Sequence, residues 1–313
     1  MNWSKDALFS KAKLYFEKAE DEERDSTFFG MYYAFGLELL ARAALADISP
    51  TLLAEPNQTQ SNLLYALGLK DVSCKPKSIM TNRVIALCSE LIEDFDTDLE
   101  KIATLMTERR NEELHTGSGG FAEYNIDNWI AGFYKVCQVL TASMGESLDT
   151  LFGRETAKEA TEIILQDTEK VKKEVLDKIS ARKKTYDEDL KNSPDEVAAT
   201  IARAKRIVEE KTHNGYHHVD CPCCGNVALI YGKERMSSHD VIDNDEVVVR
   251  KDVTASFFQC DVCKLRLSSY AELKSANLPL HYTNTYHYDP TEYFDIDIDS
   301  MLEADYFEGY SND

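Results

Sequence analysis

The chain has 313 residues, which is long enough for two domains and a sizeable core. It contains 35 Lys and Arg and 56 Asp and Glu, which gives a formal net charge of −21. This charge excludes electrostatic attraction of nucleic acid over a broad surface. The sequence has no charged-then-apolar leader and no run of about 18 apolar residues, so we expect a soluble, cytoplasmic protein without membrane contact.

Residues 1–153 carry apolar side chains at the three- and four-residue steps of helices. The segments with this spacing are 1–22, 26–47, 59–67, 78–95 and 126–151. Segment 26–47 is apolar on all sides, so we expect a central core helix, or one that also faces a dimer partner. Scattered cysteines without metal-ligand spacing are predicted to be small core residues: Cys74, Cys88 and Cys137.

Another predicted helix ends within the stretch 109–117. Its apolar stripe consists of Leu99, Ile102, Ala103, Leu105 and Met106. Three glycines, at positions 117, 119 and 120, then end the helix and place His115 at or just past its last turn. Five residues advance about 500° around a helix, so Arg110 and His115 lie roughly 140° apart if the helix is ideal. Only a loosened last turn or a second copy of the chain would bring them together.

The pattern Arg110-Asn111-(three residues)-His115 resembles the Arg-(four to six residues)-His signature of the HEPN superfamily, which often places a polar residue after the arginine. The resemblance covers about the first 153 residues and implies a small, all-helical domain. Many HEPN domains are metal-independent ribonucleases that work as homodimers with two motifs facing each other. Arg109 also satisfies the spacing, with five intervening residues, so the choice between the two arginines stays open.

This resemblance implies endoribonucleolytic cleavage of RNA, which would leave a 2′,3′-cyclic phosphate if the 2′-hydroxyl attacks. The residue types fit that chemistry: histidine is the side chain suited to proton transfer near neutral pH, so His115 can act as acid or base. Arg110 supplies fixed positive charge to a phosphorane-like transition state, and Asn111 can orient phosphate or histidine. The family's frequent place in toxin–antitoxin and antiviral-defence systems implies a restricting role, which a regulatory protein partner could control.

The same residues also allow structural roles. Arg109 can pair with Glu113 at i,i+4, which would leave His115 as a helix cap. Glu38 and Arg42 are likewise four residues apart, which favours an ion pair on the exposed edge of their helix. The alternative for Glu38 is a supporting contact to His115.

Residues 154–212 are charged and poor in aromatic residues, with a thin apolar stripe, and predict a helical hairpin that links two domains. Ser193-Pro194-Asp195-Glu196 is a helix start, with a serine cap, proline at the first position and glutamate at the third. Basic residues crowd 170–184, where a solvated helix face is the simpler interpretation and guidance of RNA is the alternative.

Two CxxC pairs about 35 residues apart predict a zinc ribbon at 213–281. The predicted ligands of a structural Zn²⁺ are Cys221, Cys224, Cys260 and Cys263. Four thiolates leave no open coordination position, so no catalytic metal is expected. Cys223 should be free, and His217 and His218 are nearby substitutes as ligands. The intervening runs 227–231, 246–249 and 254–259 predict strands.

Residues 282–313 are acidic and rich in aromatic residues, and predict a tail. A plain disordered tail would not carry so many aromatic side chains. Packing of Tyr293, Phe294 and Phe307 on the folded body is one interpretation. The other is autoinhibition, in which the carboxylates of this tail occupy the RNA-binding patch until a trigger removes them.

The sequence thus predicts a mainly α protein with four parts: an HEPN-like bundle (1–153), a helical linker (154–212), a small β-rich zinc ribbon (213–281) and an acidic aromatic tail (282–313). The function most consistent with it is a homodimeric, metal-independent endoribonuclease. Two other classes stay open. One is a non-catalytic dimeric interaction or scaffold protein, and the other is a zinc-ribbon factor that binds nucleic acid.

Overall fold

The computed structural model describes residues 3–69, 76–212, 215–238 and 240–295. The chain divides into two compact units: the first comprises Met1–Lys178 with Ser269–Ala276, and the second comprises Ile179–Ser268 with Asn277–Asp313. The predicted fold class, mainly α with a small β domain that carries a four-cysteine cluster, is confirmed. No described helix is both long and apolar enough to cross a membrane.

The first unit is helical. Its elements are α1 (Lys5–Glu20), α2 (Thr27–Ile48), α3 (Ser61–Ala66), α4 (Thr81–Leu91), α5 (Thr97–His115), α6 (Ile130–Ser143), α7 (Leu148–Phe152) and the beginning of α8 (Arg154–Asn192). Polar side chains satisfy the free N–H groups at several helix starts, as Ser4, Ser26 and Asp96 do for α1, α2 and α5.

Helix α2 is the centre of this unit, as its apolar sequence predicts, and packs against α1, α4, α5 and α6. Tyr33 is completely buried there, stacks on Phe29 at 4.3 Å between ring centroids, and donates its hydroxyl to Glu20 at 2.6 Å. On the outward side, Phe28 stays 60% exposed. Helix α2 therefore supplies both the core and an aromatic surface.

The segment 126–151, predicted as one helix, is instead broken. A short 3-10 turn, Ile126–Asn128, precedes α6, and α7 begins only at Leu148. Gly145 adopts φ +71° after α6, and Ser147 starts α7 with a capping box. Apolar spacing continues across this break through buried Met144 and Leu148, so periodicity alone could not reveal it.

The scattered cysteines behave as predicted where they are described. Cys88 and Cys137 are completely buried, and burial raises the pKa of the Cys88 thiol to about 12. Cys74 lies outside the described residues.

Helices α8 and α9 (Pro194–Thr212) occupy the predicted linker. Helix α9 begins at Pro194, as the Ser-Pro pattern predicts. Helix α8 is a single helix of 39 residues, and the boundary between the two units falls inside it, after Lys178. The basic residues of 170–184 are exposed along α8, as expected of a solvated face.

A second chain segment completes the first unit. Helix α10 (Tyr270–Ser275) packs on α5, where the Ala271 N–H donates to the Asp98 carboxylate at 3.1 Å. Glu272 of the same helix forms an ion pair with Lys178. The first unit is therefore not one continuous stretch of sequence.

The second unit contains an antiparallel sheet. Its strands are β1 (His217–Asp220), β2 (Val227–Ser238), β3 (Val241–Asp243), β4 (Glu246–Gln259), β5 (Arg266–Leu267) and β6 (His281–Tyr288). The order is β1-β2-β4-β3, and β5 and β6 also pair with β4. The predicted runs 246–249 and 254–259 are one strand, because the polar residues between them continue the ladder: Arg250 pairs with Thr285 and Lys251 with Asn284.

The predicted tail requires a correction. Residues 282–288 belong to β6, which pairs with β4 from His281 opposite Thr254 to Tyr288 opposite Val247. Alternate half-burial along this strand reflects the two-residue period of β structure. Beyond it, α11 (Pro290–Tyr293) packs near the sheet, and Tyr293 donates its hydroxyl to Asp240 at 2.6 Å. Residues 296–313, with Phe307 and most of the predicted inhibitory carboxylates, lie outside the described residues.

Candidate functional site

Helix α5 is regular from Thr97 to His115 and is capped by Thr116, whose N–H donates to the Glu112 carbonyl at 3.0 Å. Because the last turn is not loosened, Arg110 and His115 stay about 140° apart around the axis and about 7.5 Å apart along it. One of the two ways to bring them together within reach of one phosphate is thereby removed. The other, a second copy of the chain, remains.

Arg110 is held between α2 and its own helix. Its guanidinium forms an ion pair with Glu38 of α2 and donates through Nε and Nη2 to the Asn111 amide oxygen at 3.3 and 2.9 Å. The side chain is only 13% exposed. A guanidinium has five N–H groups, so two of them have no partner among the described residues.

Glu38 also accepts two hydrogen bonds from Arg42, at 3.1 and 2.9 Å. Arg42 donates further to the Ser78 hydroxyl at 3.1 Å and the Ile79 carbonyl at 3.0 Å. The predicted Glu38–Arg42 pair is therefore present, but it is mostly buried rather than on an exposed edge. Glu38 supports Arg110 and not His115. We call Glu38, Arg42 and Arg110 the arginine–glutamate cluster.

Glu38 stays ionised in this setting. Burial alone would raise the pKa of its carboxyl, but a hydrogen bond from Thr81 and the charges of Arg110 and Arg42 more than offset burial, so the pKa lies below its ordinary value. With two guanidinium groups and one carboxylate, the arginine–glutamate cluster keeps a positive charge on an otherwise acidic protein.

Arg109 points elsewhere. Its guanidinium lies 4.7 Å from the centre of the Tyr124 ring and pairs with Glu112 at 3.0 Å. The prediction that Arg109 pairs with Glu113 is wrong, because the Glu113 carboxylate instead accepts a hydrogen bond from the Phe121 N–H at 3.4 Å. After α5 the chain folds back onto the last turns of this helix, which brings the Phe121 N–H to Glu113. Gly120 lies so close to the helix that a Cβ there would be 2.2 Å from the Arg109 carbonyl oxygen.

His115 is the last residue of α5 and is exposed. Its ring forms no hydrogen bond or ion pair with the residues that the structure describes. Within one chain, the motif thus consists of an anchored arginine and a separate, accessible imidazole.

The four predicted ligand cysteines do come together. The sulfur atoms of Cys221, Cys224, Cys260 and Cys263 all lie within 4.8 Å of one another, close enough to hold a metal ion. The Sγ–Sγ distances are 3.6 Å between Cys221 and Cys263 and 3.7 Å between Cys224 and Cys260, which is far longer than a disulfide.

Two similar turns present these sulfurs. In the first, the Gly225 N–H donates to the Cys221 carbonyl at 2.9 Å, and in the second, the Lys264 N–H donates to the Cys260 carbonyl at 3.0 Å. Gly225 and Lys264 adopt φ +70° and +62°, the left-handed conformation that favours glycine. The sequence signals the first turn through its glycine and gives no such signal for the second.

The neighbouring candidates stay outside the sulfur cluster. Cys223 is buried and free, and its N–H donates to the Cys221 sulfur at 3.4 Å. His217 stacks on Tyr282 at 4.9 Å, and neither His217 nor His218 belongs to the sulfur cluster. The four cysteines predicted as ligands are therefore the ones whose sulfur atoms cluster, and Cys223, His217 and His218 lie outside that cluster.

No known family model, curated protein or solved structure matches this chain.

Replacing Glu38 by Gln should destabilise the first unit, because two largely buried guanidinium groups would lose their counter-charge. We expect a loss of about 1–3 kcal/mol in the free energy of unfolding at neutral pH. Urea titrations followed by tryptophan fluorescence report on this unit alone, since Trp3 and Trp129 are the only tryptophans.

The same variant tests the pKa of Glu38. A carboxyl with a lowered native pKa stabilises the fold above its unfolded pKa of about 4.3, and this contribution is lost as the pH falls through the native value. The gap between wild type and Glu38→Gln should therefore close in acid. Glu23→Gln, at an exposed position, is the control. Equal stabilities at neutral pH would contradict the role of Glu38.

Proposed function

We propose that this protein is a metal-independent endoribonuclease in which Arg110 stabilises the transition state and His115 acts as acid and base. The observation that carries the proposal is the anchored guanidinium of Arg110, on the same helix as the exposed ring of His115. Two N–H groups of this guanidinium have no partner among the residues that the structure describes. A preorganised cation needs little rearrangement when charge develops on a phosphate.

The chemistry balances without a cofactor. A neutral imidazole takes the proton of the 2′-hydroxyl, the 2′-oxygen bonds to phosphorus, and the bond from phosphorus to the 5′-oxygen breaks. An imidazolium donates the proton that the departing 5′-oxygen needs. Arg110 faces the non-bridging oxygens, where negative charge grows. The products are a 2′,3′-cyclic phosphate and a 5′-hydroxyl.

We propose further that two copies of the chain form the active site. Within one helix, Arg110 and His115 diverge by about 140°, so a single copy cannot direct both at one phosphate. A homodimer would supply two imidazoles, one as base and one as acid. The regulatory partner and the defence role implied by the HEPN resemblance remain part of this proposal.

A surface formed by α1 and α2 supports such a dimer. Tyr15, Phe28, Tyr32 and Phe35 form an aromatic face, with ring centroids 5.5 to 6.4 Å apart between neighbours. On a helix, positions 28, 32 and 35 lie within about 60° of one another, and Arg42 lies next to them on the same side. This aromatic face therefore leads directly to the arginine–glutamate cluster.

We also propose that the four-cysteine cluster binds one Zn²⁺. Zinc–sulfur bonds of about 2.3 Å in a tetrahedron place sulfurs about 3.8 Å apart, close to the observed 3.6 and 3.7 Å. Four thiolates close the coordination sphere, so the ion would hold the two turns together and take no part in RNA cleavage. Zinc would substitute for the core that a small domain lacks.

A non-catalytic alternative rests on the same contacts. The ion pair between Arg110 and Glu38 joins α5 to α2, which is a sufficient structural reason for an arginine at this position. In that case the chain would be a dimeric interaction protein. An RNA-cleavage assay separates the two functions.

Wild-type protein should cleave single-stranded RNA in the presence of EDTA, and His115→Ala and Arg110→Ala should each lower the rate at least about 100-fold. Lys101→Ala, an exposed change on the same helix, should leave the rate unchanged. Gel analysis of labelled RNA and end-group analysis for the cyclic phosphate provide the readout. Greater loss in Arg109→Ala than in Arg110→Ala would transfer the role to Arg109, and an inactive wild type would favour the interaction protein.

Replacing Phe28 by Glu should convert a dimer into a monomer and abolish cleavage, because a charge would be introduced into the aromatic face. Leu165→Glu is a matched control, since Leu165 on α8 is 59% exposed and Phe28 is 60% exposed. Light scattering coupled to size exclusion measures the mass. A wild type that cleaves RNA as a monomer would refute the shared site.

Purified protein should contain about one zinc ion per chain, and Cys260→Ser should lose it together with thermal stability of the second unit. Cys223→Ser is the matched control, because Cys223 is buried beside the ligands without joining the sulfur cluster. Elemental analysis gives the metal and its identity. Full zinc content in the Cys260 variant would contradict the assigned ligands.

A further inference from the structure

A groove lies along the outer side of β6 in the second unit, with a cavity volume of about 440 Å³. One wall comes from the start of β1, with Tyr216 and His217. The other comes from β6 itself, which pairs with β4 and with no other strand in the described part of the chain. Asn284, Tyr286 and Tyr288 line this second wall.

The groove is dominated by aromatic rings that are already packed in place. The His217 ring lies nearly parallel to Tyr282, at 4.9 Å and 19°. Tyr286 and Tyr288 are also close to parallel, at 6.4 Å and 30°. Tyr288 is 37% exposed, and the rings of Tyr216 and Tyr286 are half-buried. Such fixed ring faces offer stacking surface at low entropic cost.

Two ammonium groups flank these rings. Lys211 lies 5.0 Å from the centre of the Tyr216 ring, and Lys251 lies 5.4 Å from that of Tyr286. Lys251 also pairs with Glu234 at 3.0 Å, so the local charge is nearly balanced. A ligand in this groove would therefore gain mainly from stacking on the flat rings, and only a few of its anionic groups could pair with these lysines.

The polar atoms suit the edge of a planar base. The Asn284 amide donates to the Gly215 carbonyl at 3.2 Å, while its oxygen accepts no hydrogen bond among the described residues. Burial, helped by His218, lowers the pKa of His217, so its ring is neutral and offers one donor and one acceptor. An apolar helix seated here would leave these atoms without partners.

We propose that this groove binds single-stranded RNA, with nucleobases stacked on Tyr216 and Tyr288 and with Lys211 and Lys251 each contacting a phosphate. Stacking needs no sequence preference, because every base presents a flat face. The choice of RNA rests on the proposed ribonuclease function, whereas the stacking surface and its residues do not.

Fluorescence anisotropy of the full chain tests this site. The probe is a labelled single-stranded 2′-O-methyl oligonucleotide of about 12 nucleotides, which has no free 2′-hydroxyl to attack and so separates binding from cleavage. Tyr216→Leu and Tyr288→Leu should each weaken binding about fivefold or more, whereas Tyr288→Phe should retain it. Phe294→Leu is the matched control, because Phe294 is 53% exposed, lies outside the groove and packs on Tyr293.

The salt dependence provides an independent reading. Two phosphate contacts on a single strand predict a slope of about −1.4 for the logarithm of affinity against the logarithm of salt concentration. A slope steeper than about −3 would locate binding on the lysine-rich part of α8 and overturn the proposal.

Other results would overturn it as well: no binding by the wild type, equal binding of a duplex, unchanged affinity in both leucine variants, or equal loss in Phe294→Leu. Equal zinc content and circular dichroism establish that the variants are folded, and two separate tyrosines protect the test from one unstable variant. Binding without cleavage would refute the ribonuclease function alone, and cleavage without groove-dependent binding would refute this site alone.

Discussion

The placement of one carboxylate between two guanidinium groups is the constraint on which the first unit depends. Glu38 projects from the central helix α2, and through it Arg42 of that helix and Arg110 of α5 are held close together despite their like charge. Burying a charge is costly unless it is paired and hydrogen-bonded. Here both arginines supply Glu38 with an opposite charge and with hydrogen bonds. The same contact that joins α2 to α5 therefore also fixes the direction of the one arginine that the proposed chemistry uses.

This double role explains the shape of the candidate active site. A cation used in catalysis must be rigid, and Arg110 gains rigidity from Glu38 and Asn111. An acid or base must reach water and substrate, and His115 does so at the exposed end of the helix. The regular geometry of α5 satisfies both needs but separates the two groups, which is why the proposed enzyme requires two copies of the chain.

Local patterns in the sequence were sufficient for much of this architecture. The apolar helix α2, the serine–proline start of α9 and the spacing within each CxxC pair all depend on neighbours a few residues away. Contacts between distant positions had no such signal: Glu38 and Arg110 are 72 residues apart.

Strand β6 and the break before α7 were missed for different reasons. The acidic, aromatic composition of the last 32 residues concealed a strand whose alternating Tyr and Thr residues are typical of a sheet. At Gly145 the apolar period continued although the backbone turned. Composition and periodicity describe burial, and neither reports where a backbone changes direction.

The two-segment nature of the first unit has a consequence for biosynthesis. Helix α10 begins at Tyr270, 92 residues after Lys178, yet it supplies the Ala271 N–H to Asp98 and the Glu272 carboxylate to Lys178. At about 5–20 residues per second, a ribosome would need roughly 5–20 s to make the intervening chain. The helical unit must therefore wait in an incomplete state, with the side of α5 that receives α10 still uncovered, until most of the second unit has been synthesised.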